Sequence, residues 1–357
     1  MNRLILIGNG FDLAHGLKTS YADFINWYWE QWGERLRCHA EITESDELCS
    51  FTLKGCAQWY LAWSGYYYQK ENSGLPWAAH DIARKAKEDR ILCEFKYLSR
   101  FLERIDQNIE TKGWVDIENE YYRLLVNGEE RLCSYQLLNK HLDFLRKKLI
   151  EYLRGVEKTE IEMFADINDK IYRPIEKKEL SISYSNYSKD DLSLSHIMLL
   201  NFNYTKTPEI YLKNDTTINY IHGKLNNPQS VIFGYGDEID EDYKQLKRLN
   251  DNESLRQMKS IRYMEADNYR RMLEFIQTGP FQVCIMGHSC GLSDRTLLNT
   301  IFEHPNCMSV KPYYYIKDNG EDNYMELAIN ISRNFTDMKL MRDRVVNKTF
   351  TEPLTKT

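Results

Sequence analysis

The feature that most constrains this chain is its opening. Arg3-Leu4-Ile5-Leu6-Ile7 is an apolar run, and Gly8-Asn9-Gly10 ends it at once. A short unbroken run of this kind fits a central parallel strand covered on both faces. A strand that runs into glycines and then a helix brings main-chain N–H groups to a helix N-terminus, where a phosphate can sit. The pattern is not a full GxGxxG, because position 13 is Leu. A tight turn that needs positive φ explains the same glycines, so spacing alone leaves both readings open. Asp12 and His15 come next and could face the same cavity or cap the helix. Gly16 could simply close a turn.

A helical stretch is expected over Tyr21 to Trp32. From residue 34 to 190 strand-like runs nearly vanish. Ile91, Phe95, Leu98, Leu102, Ile105 and Ile109 recur at steps of three and four, as on an amphipathic helix. Leu142, Leu145, Leu149 and Leu153 repeat the pattern, with Gly155 as a stop signal. Glu176 to Asp191 is polar and Ser-rich, and reads as a surface loop. Strand signals then return at His196–Phe202, Thr217–Ile221, Val231–Phe233, Phe281–Met286 and Val310–Ile316. Helical stretches lie between some of them, over Tyr243–Ile276 and Arg295–Phe302. Strands alternating with helices imply an α/β fold with a mainly parallel sheet. Its first strand is at residue 3 and the next clear one near 197. The expected organisation is therefore a discontinuous Rossmann-like domain, residues 1–33 plus 191–357, with a large helical insertion at residues 34–190.

The chain has 357 residues, enough for a large core, and 42% of them are hydrophobic, which sets it among globular proteins. Its formal net charge of −6 argues against strong general nucleic-acid binding. The eight cysteines form no CxxC pair and no zinc spacing. Scattered thiols fit a reducing compartment, and the Leu4–Ile7 run is too short for a signal peptide or a membrane span. A soluble cytoplasmic protein, with no metal and no membrane partner, is the expectation.

Three further segments sit where strands end, the edge at which open α/β sheets bind ligands. Asn201-Phe202-Asn203-Tyr204-Thr205 follows Met198-Leu199-Leu200. A side-chain amide there can hold a ribose hydroxyl or a water, or it can make an Asx turn. Tyr220-Ile221-His222-Gly223 offers a histidine able to orient or deprotonate a nucleophile, though a lone histidine is more often structural. Gly287-His288-Ser289-Cys290-Gly291 matches the G-x-S-x-G elbow of α/β-hydrolases. That reading needs a later histidine, and His304, ahead of Pro305, fits the required order poorly. The acidic run Asp237-Glu238-Ile239-Asp240-Glu241-Asp242 could suggest a metal site, but adjacent acids on a loop rarely converge, and a solvated loop is expected.

Together these segments resemble the AbiH family of phage abortive-infection proteins. The likeness is carried by Ile7-Gly8-Asn9-Gly10-Phe11-Asp12-Leu13-Ala14-His15-Gly16-Leu17, with Thr19-Ser20-Tyr21 and Phe24 behind it. It continues in Asn201-Phe202-Asn203-Tyr204-Thr205, His222-Gly223, Gly287-His288-Ser289 and Ser293-Asp294. Trp114-Val115-Asp116-Ile117-Glu118 also looks like a family element. That family in turn looks like a distant relative of sirtuin-type, DHS-like NAD-binding domains, whose motifs fall in the same order.

What the resemblance implies is an antiphage effector that takes NAD or a related nucleotide as substrate or ligand and requires no other cofactor. Gly8, Asn9 and Gly10 would hold the dinucleotide. Asn203 and His222 would act at the nicotinamide ribose, and Gly287 and Ser289 at the adenosine half or its phosphates. Phe11, Asp12, His15, Tyr204, His288 and Asp294 complete the expected binding set. Asn9 replaces the middle Ala of the sirtuin turn, and Thr205 stands where an Asp often follows. The absence of a four-cysteine zinc module argues against protein deacylation. The expected activity is hydrolysis of the nicotinamide–ribose bond, by a homo-oligomer or a subunit of a defence complex. The alternatives are a non-catalytic nucleotide sensor and a serine hydrolase using Ser289.

Overall fold

The computed structural model describes residues 1–37, 42–54, 92–112, 116–182, 188, 192–317 and 319–355. The expectations placed on Cys38, Cys56, Ile91, Trp114 and Val115, and on residues 183–187 and 189–191, lie outside them. The chain forms two compact units: Met1–Lys18 with Leu153–Thr357, and Thr19–Tyr152. The second unit thus includes the helix Tyr21–Arg37, and the first includes the chain from 153 to 190.

The first unit is built on β1 (Asn2–Ile7), every residue of which is buried. It pairs in parallel with β5 (Ile197–Asn201) on one side and β7 (Phe281–Met286) on the other. Outside these lie β6 (Thr216–Tyr220) and β8 (Cys307–Tyr313), also parallel, giving the five-stranded order β6-β5-β1-β7-β8. Counting only these strands, the order is third, second, first, fourth, fifth. This is the doubly wound Rossmann-like arrangement, with β5, β1 and β7 buried along their whole length and the edge strand β6 partly exposed.

Side chains alternate across the sheet, as the period of two requires. Leu4, Leu6, Leu200, Val283 and Ile285 face one layer, packed on Met272, Ile276, Leu298, Ile301 and Ile331. Ile5, Ile7, Leu199, Cys284 and Met286 face the other, with Phe11, Ile167 and Ile171. The Rossmann-like expectation holds, and the sheet is covered on both faces.

Arg3 breaks the apolar run from inside. Its guanidinium donates to Gln282 Oε1 at 3.1 Å and to the carbonyls of Ile171 and Arg173, both at 2.8 Å. Gln282 donates in turn to Glu179, which also pairs with Lys311. Burying charge is tolerated when it is paired or fully hydrogen-bonded; Lys311 and Glu179 pair with each other, and the Arg3 guanidinium is held by Gln282 and main-chain carbonyls.

Among its described residues the second unit is mainly helical, but it carries a sheet that the periodicity did not predict. The strands β2 (Ile42–Ser45), β3 (Cys49–Lys54) and β4 (Leu92–Tyr97) form an antiparallel set in that order. Where one amphipathic helix was expected, the chain runs as a strand to Tyr97 and as a helix only over Arg100–Lys112. Ser99 marks the change, its carbonyl accepting from the Glu103 N–H and its hydroxyl from the Leu102 N–H. The leucine-rich helix runs Tyr135–Val156, one residue past Gly155.

Two further expectations change. Val231-Ile232-Phe233 is buried but forms no strand. Ile232 N–H donates to the His222 carbonyl and Ile232 O accepts from the Tyr204 hydroxyl, so the segment is pinned singly rather than in a ladder. The stretch Tyr243–Ile276 is divided into the helices Glu241–Arg248, Asn252–Leu255, Lys259–Arg262 and Asn268–Gln277, with Asn250 in the left-handed region between the first two. No helix among the described residues is long and apolar enough to cross a membrane.

Candidate functional site

The strand order reverses between β1 and β7, so the loops that follow them flank the crevice where ligands sit in doubly wound folds. These loops are Gly8-Asn9-Gly10 and Gly287-His288-Ser289, and they pack directly on each other. A Cβ on Gly8 would overlap the main chain of His288, and one on Gly287 would overlap that of Phe11. Gly287 also has φ +75°, where a side chain is strained. Gly10 N–H donates to Gly287 O at 2.8 Å, Gly8 N–H to Met286 O at 3.3 Å, and Phe11 N–H to Gly8 O at 2.9 Å. The glycines therefore serve a close crossing of two main chains. Three of the N–H groups that a phosphate would use at this turn already have carbonyl partners.

The loop after β5 joins the same edge. Asn201, fully buried, makes the local turn: its amide donates to Thr205 O and its side-chain oxygen accepts from Asn203 N–H. That frees the Asn203 side chain, whose Nδ2 donates to Gly8 O at 3.0 Å. Thr205 donates to Oδ2 of Asp12 at 2.6 Å. Asp12 is buried, and its Oδ1 has no hydrogen-bond partner among the described residues. Burial pushes the Asp12 carboxyl up to about 6, against the lowering influence of Thr205, Thr207 and Asn203.

The loops after β6 and β7 supply a second, deeper cluster centred on Asp294. His222 Nε2 lies 3.2 Å from Asp294 Oδ1 and 3.1 Å from the Tyr263 hydroxyl, and its Nδ1 lies 3.3 Å from the Phe202 carbonyl. His288 Nδ1 accepts from Cys290 N–H at 3.0 Å, so its ring proton sits on Nε2, 3.7 Å from Asp294 Oδ2. Lys259 Nζ reaches Asp294 Oδ1 at 2.9 Å. The Phe202 ring meets the edge or face of both imidazoles, at 5.3 Å from His222 and 4.1 Å from His288.

All four members of this cluster are buried. Burial alone would raise Asp294, but the Lys259 ammonium and then His222 and His288 outweigh it and hold the carboxyl well below its ordinary value. Burial, and then Lys259, hold His222 below its ordinary value, with Asp294 opposing them.

Gly8, Gly10, Asp12, Asn203, His222, Gly287, His288 and Asp294 are thus brought to one edge. Phe11 lies in the core, in contact with the Tyr211 ring. His15 points the same way: its Nε2 is 2.7 Å from the Tyr211 hydroxyl and its ring packs on Phe164. Tyr204 binds the Ile232 carbonyl at 2.9 Å. Ser289 is exposed, and its carbonyl accepts from Asn330.

The elbow geometry is not that of a serine nucleophile. The left-handed non-glycine residue of the loop is Cys290, with φ 54°, rather than Ser289. The His304 ring packs at a tilt against Phe281, at the start of β7, whereas Ser289 follows its end. Six strand residues at about 3.3 Å each separate them by roughly 20 Å.

Lys259 and Tyr263 were missed by sequence reasoning, and Thr205 was named in its motif without a role in the site. Its place near a recognised asparagine could have pointed to one. Lys259 and Tyr263 lie in a broken helical stretch with no motif. The acidic run is also more than a solvated loop. Asp237 is buried, pairs with Arg295 at 3.0 Å and accepts from the N–H groups of Ile239 and Asp240, while Asp240 caps the helix behind it. No group of three or more His, Cys, Asp or Glu side chains among the described residues is disposed to hold a metal ion.

No curated protein gives a significant sequence match to the chain. The family model described as Bacteriophage abortive infection AbiH matches residues 4–315, a span that takes in both glycine turns, Asn203, His222 and Asp294. The chain belongs to the AbiH family, and its role lies in phage abortive-infection defence.

Proposed function

We propose that this protein acts in that defence by hydrolysing NAD at the nicotinamide–ribose bond. The observation that carries the reading is the contact of Asn203 Nδ2 with Gly8 O. It joins the loops after β1 and β5 beside the point where the strand order reverses, the position at which this sheet architecture takes dinucleotides. In this reading Asn203 places a water against the ribose. His222 has its Nε2 turned to Asp294 and Tyr263 and its Nδ1 to the Phe202 carbonyl, so its part is to hold the loops around the ribose in place rather than to move a proton. Positioning of this kind supplies much of a hydrolase's rate.

The test is to incubate the full-length protein with NAD and follow free nicotinamide, beside the variants Asn203→Ala and His222→Ala. Wild type is expected to release nicotinamide and both variants to lose most of the rate. No release by any assembled form, with wild type equal to His222→Ala, sinks the proposal.

A second reading, a sensor that binds a nucleotide without cleaving it, is favoured by the engaged N–H groups of the first turn and by the burial of His222. Mass spectrometry of ligand carried through purification separates the two. Intact nucleotide retained at stoichiometric occupancy supports the sensor, and ADP-ribose or an empty site supports the hydrolase.

A further inference from the structure

Asp12 is more than a tie between two loops. Its Oδ2 holds the Thr205 hydroxyl at 2.6 Å, which is all that a structural link would need. Its Oδ1 is buried with no hydrogen-bond partner among the described residues. An unsatisfied buried oxygen is costly and uncommon, and where it persists it points to a use. The Asn203 amide, the group that would position the water, acts on the same carboxyl, as do the hydroxyls of Thr205 and Thr207. Asp12 therefore sits on the first turn of the helix after β1, beside the ribose-facing asparagine, with one oxygen uncommitted.

We infer that Asp12 is the general base of this site and takes the proton of the water that Asn203 positions. The inference rests on the NAD-hydrolysis reading above. In the step, the bond from ribose C1′ to the nicotinamide N1 breaks and its electron pair stays on N1. The water oxygen bonds to C1′, and the water's proton passes to Asp12 and then to solvent. NAD and water thus become nicotinamide, ADP-ribose and one proton, with no other reactant.

The electrostatics suit this role. Burial is the main influence raising the carboxyl, to about 6, so it is ionised at neutral pH yet basic enough to accept a proton. The charged and titratable groups coupled to Asp12 are Glu157, whose carboxylate pushes Asp12 further up, and Tyr220, which is itself pushed up by burial, by Glu209, by Glu157 and, less strongly, by Asp12. Tyr220 stays a neutral phenol near neutral pH, so it is the Glu157 carboxylate that opposes a second negative charge and favours proton uptake by Asp12.

The experiment compares nicotinamide release by full-length wild type, Asp12→Asn and Thr205→Val from about pH 5 to about pH 9. Asparagine keeps an acceptor for Thr205, so Asp12→Asn should fold, as checked by thermal melting. In wild type, kcat/KM should fall as the pH drops through about 6. Asp12→Asn should lose this acid limb, and its kcat should drop by about 10²–10⁴-fold with KM little changed. Thr205→Val removes a lowering influence, so its acid limb should move to higher pH. That shift is a readout that a purely structural tie would not give, and it stands even if Asp12→Asn fails to fold. If wild type hydrolyses NAD while Asp12→Asn keeps the limb and the rate, or Thr205→Val leaves the limb in place, Asp12 is not the base and the hydrolase reading survives. If wild type releases no nicotinamide, both fall.

Discussion

Lys259 Nζ lies 2.9 Å from Oδ1 of Asp294, and both side chains are buried. An ion pair sealed from water is worth little against an apolar replacement, but breaking it from one side leaves a charge stranded. Lys259→Met should therefore destabilise the protein by about 3–5 kcal/mol in urea unfolding. Adding Asp294→Asn to it should recover part of that loss. A cost for Lys259→Met below about 1 kcal/mol would mean that the two charges are not confined together as described.

His222 gives this cluster a pH dependence of definite sign. Its folded value lies below the ordinary 6.5. Its contribution to stability is therefore present above pH 6.5 and is lost as the pH falls through the lower folded value. Thermal melting should show wild type losing stability below 6.5, and His222→Gln should flatten that slope. An unchanged slope in the variant would place the titrating group elsewhere.

Asp12 runs the other way. Its carboxyl is raised from 3.8 to about 6, so its contribution is present below pH 3.8 and is lost as the pH rises through about 6. At neutral pH the protein carries that penalty. Asp12→Asn should remove it and raise stability above pH 7 by up to about 3 kcal/mol, measured by denaturant unfolding. A variant less stable than wild type at every pH would show that the carboxylate is better accommodated than its surroundings imply.

The crossing of the two glycine turns sets a graded series. Gly287→Ala meets both a left-handed backbone and the main chain of Phe11, and Gly8→Ala meets the main chain of His288. Gly16 also has φ +77° but open space around it, so Gly16→Ala meets backbone strain alone. Gly16→Ala should cost about 1–2 kcal/mol, and the other two clearly more or fail to fold. Equal costs across the series would argue that the turns do not cross closely.

A fluorophosphonate probe should leave Ser289 unlabelled, since the positive φ falls on Cys290 and His304 lies at the far end of β7. Covalent modification of Ser289, seen by peptide mass mapping, would revive the serine-hydrolase alternative.

The strands β1, β5 and β7 were legible because each is an apolar run ended by a turn residue, whereas β6 is short and β-branched. Phe281–Met286 could be read to the residue, and the strand-end motifs pointed to the edge where Asn203, His222 and Gly287 meet. Two kinds of feature were not legible. A helix and a strand abutting at Ser99 imitated one long helical period, since Phe95, Leu98 and Leu102 fall at steps of three and four although the chain changes conformation between them. Partners such as Lys259 and Tyr263 are single residues on short helices, and only tertiary packing brings them to Asp294 and His222. Arg3 offers the same lesson within a strand, where a charge that reads as a flank is buried because its partners come from distant segments.

The order of the strands has a consequence for biosynthesis. β1 occupies the middle of the sheet, yet its neighbours begin only at Ile197 and Phe281. During translation the central strand waits, without its sheet partners, while residues 19–152 emerge. A nascent chain that has not yet extruded β7 has neither Asp294 nor the crossing turn. The site proposed above is therefore completed only once the chain has passed residue 294.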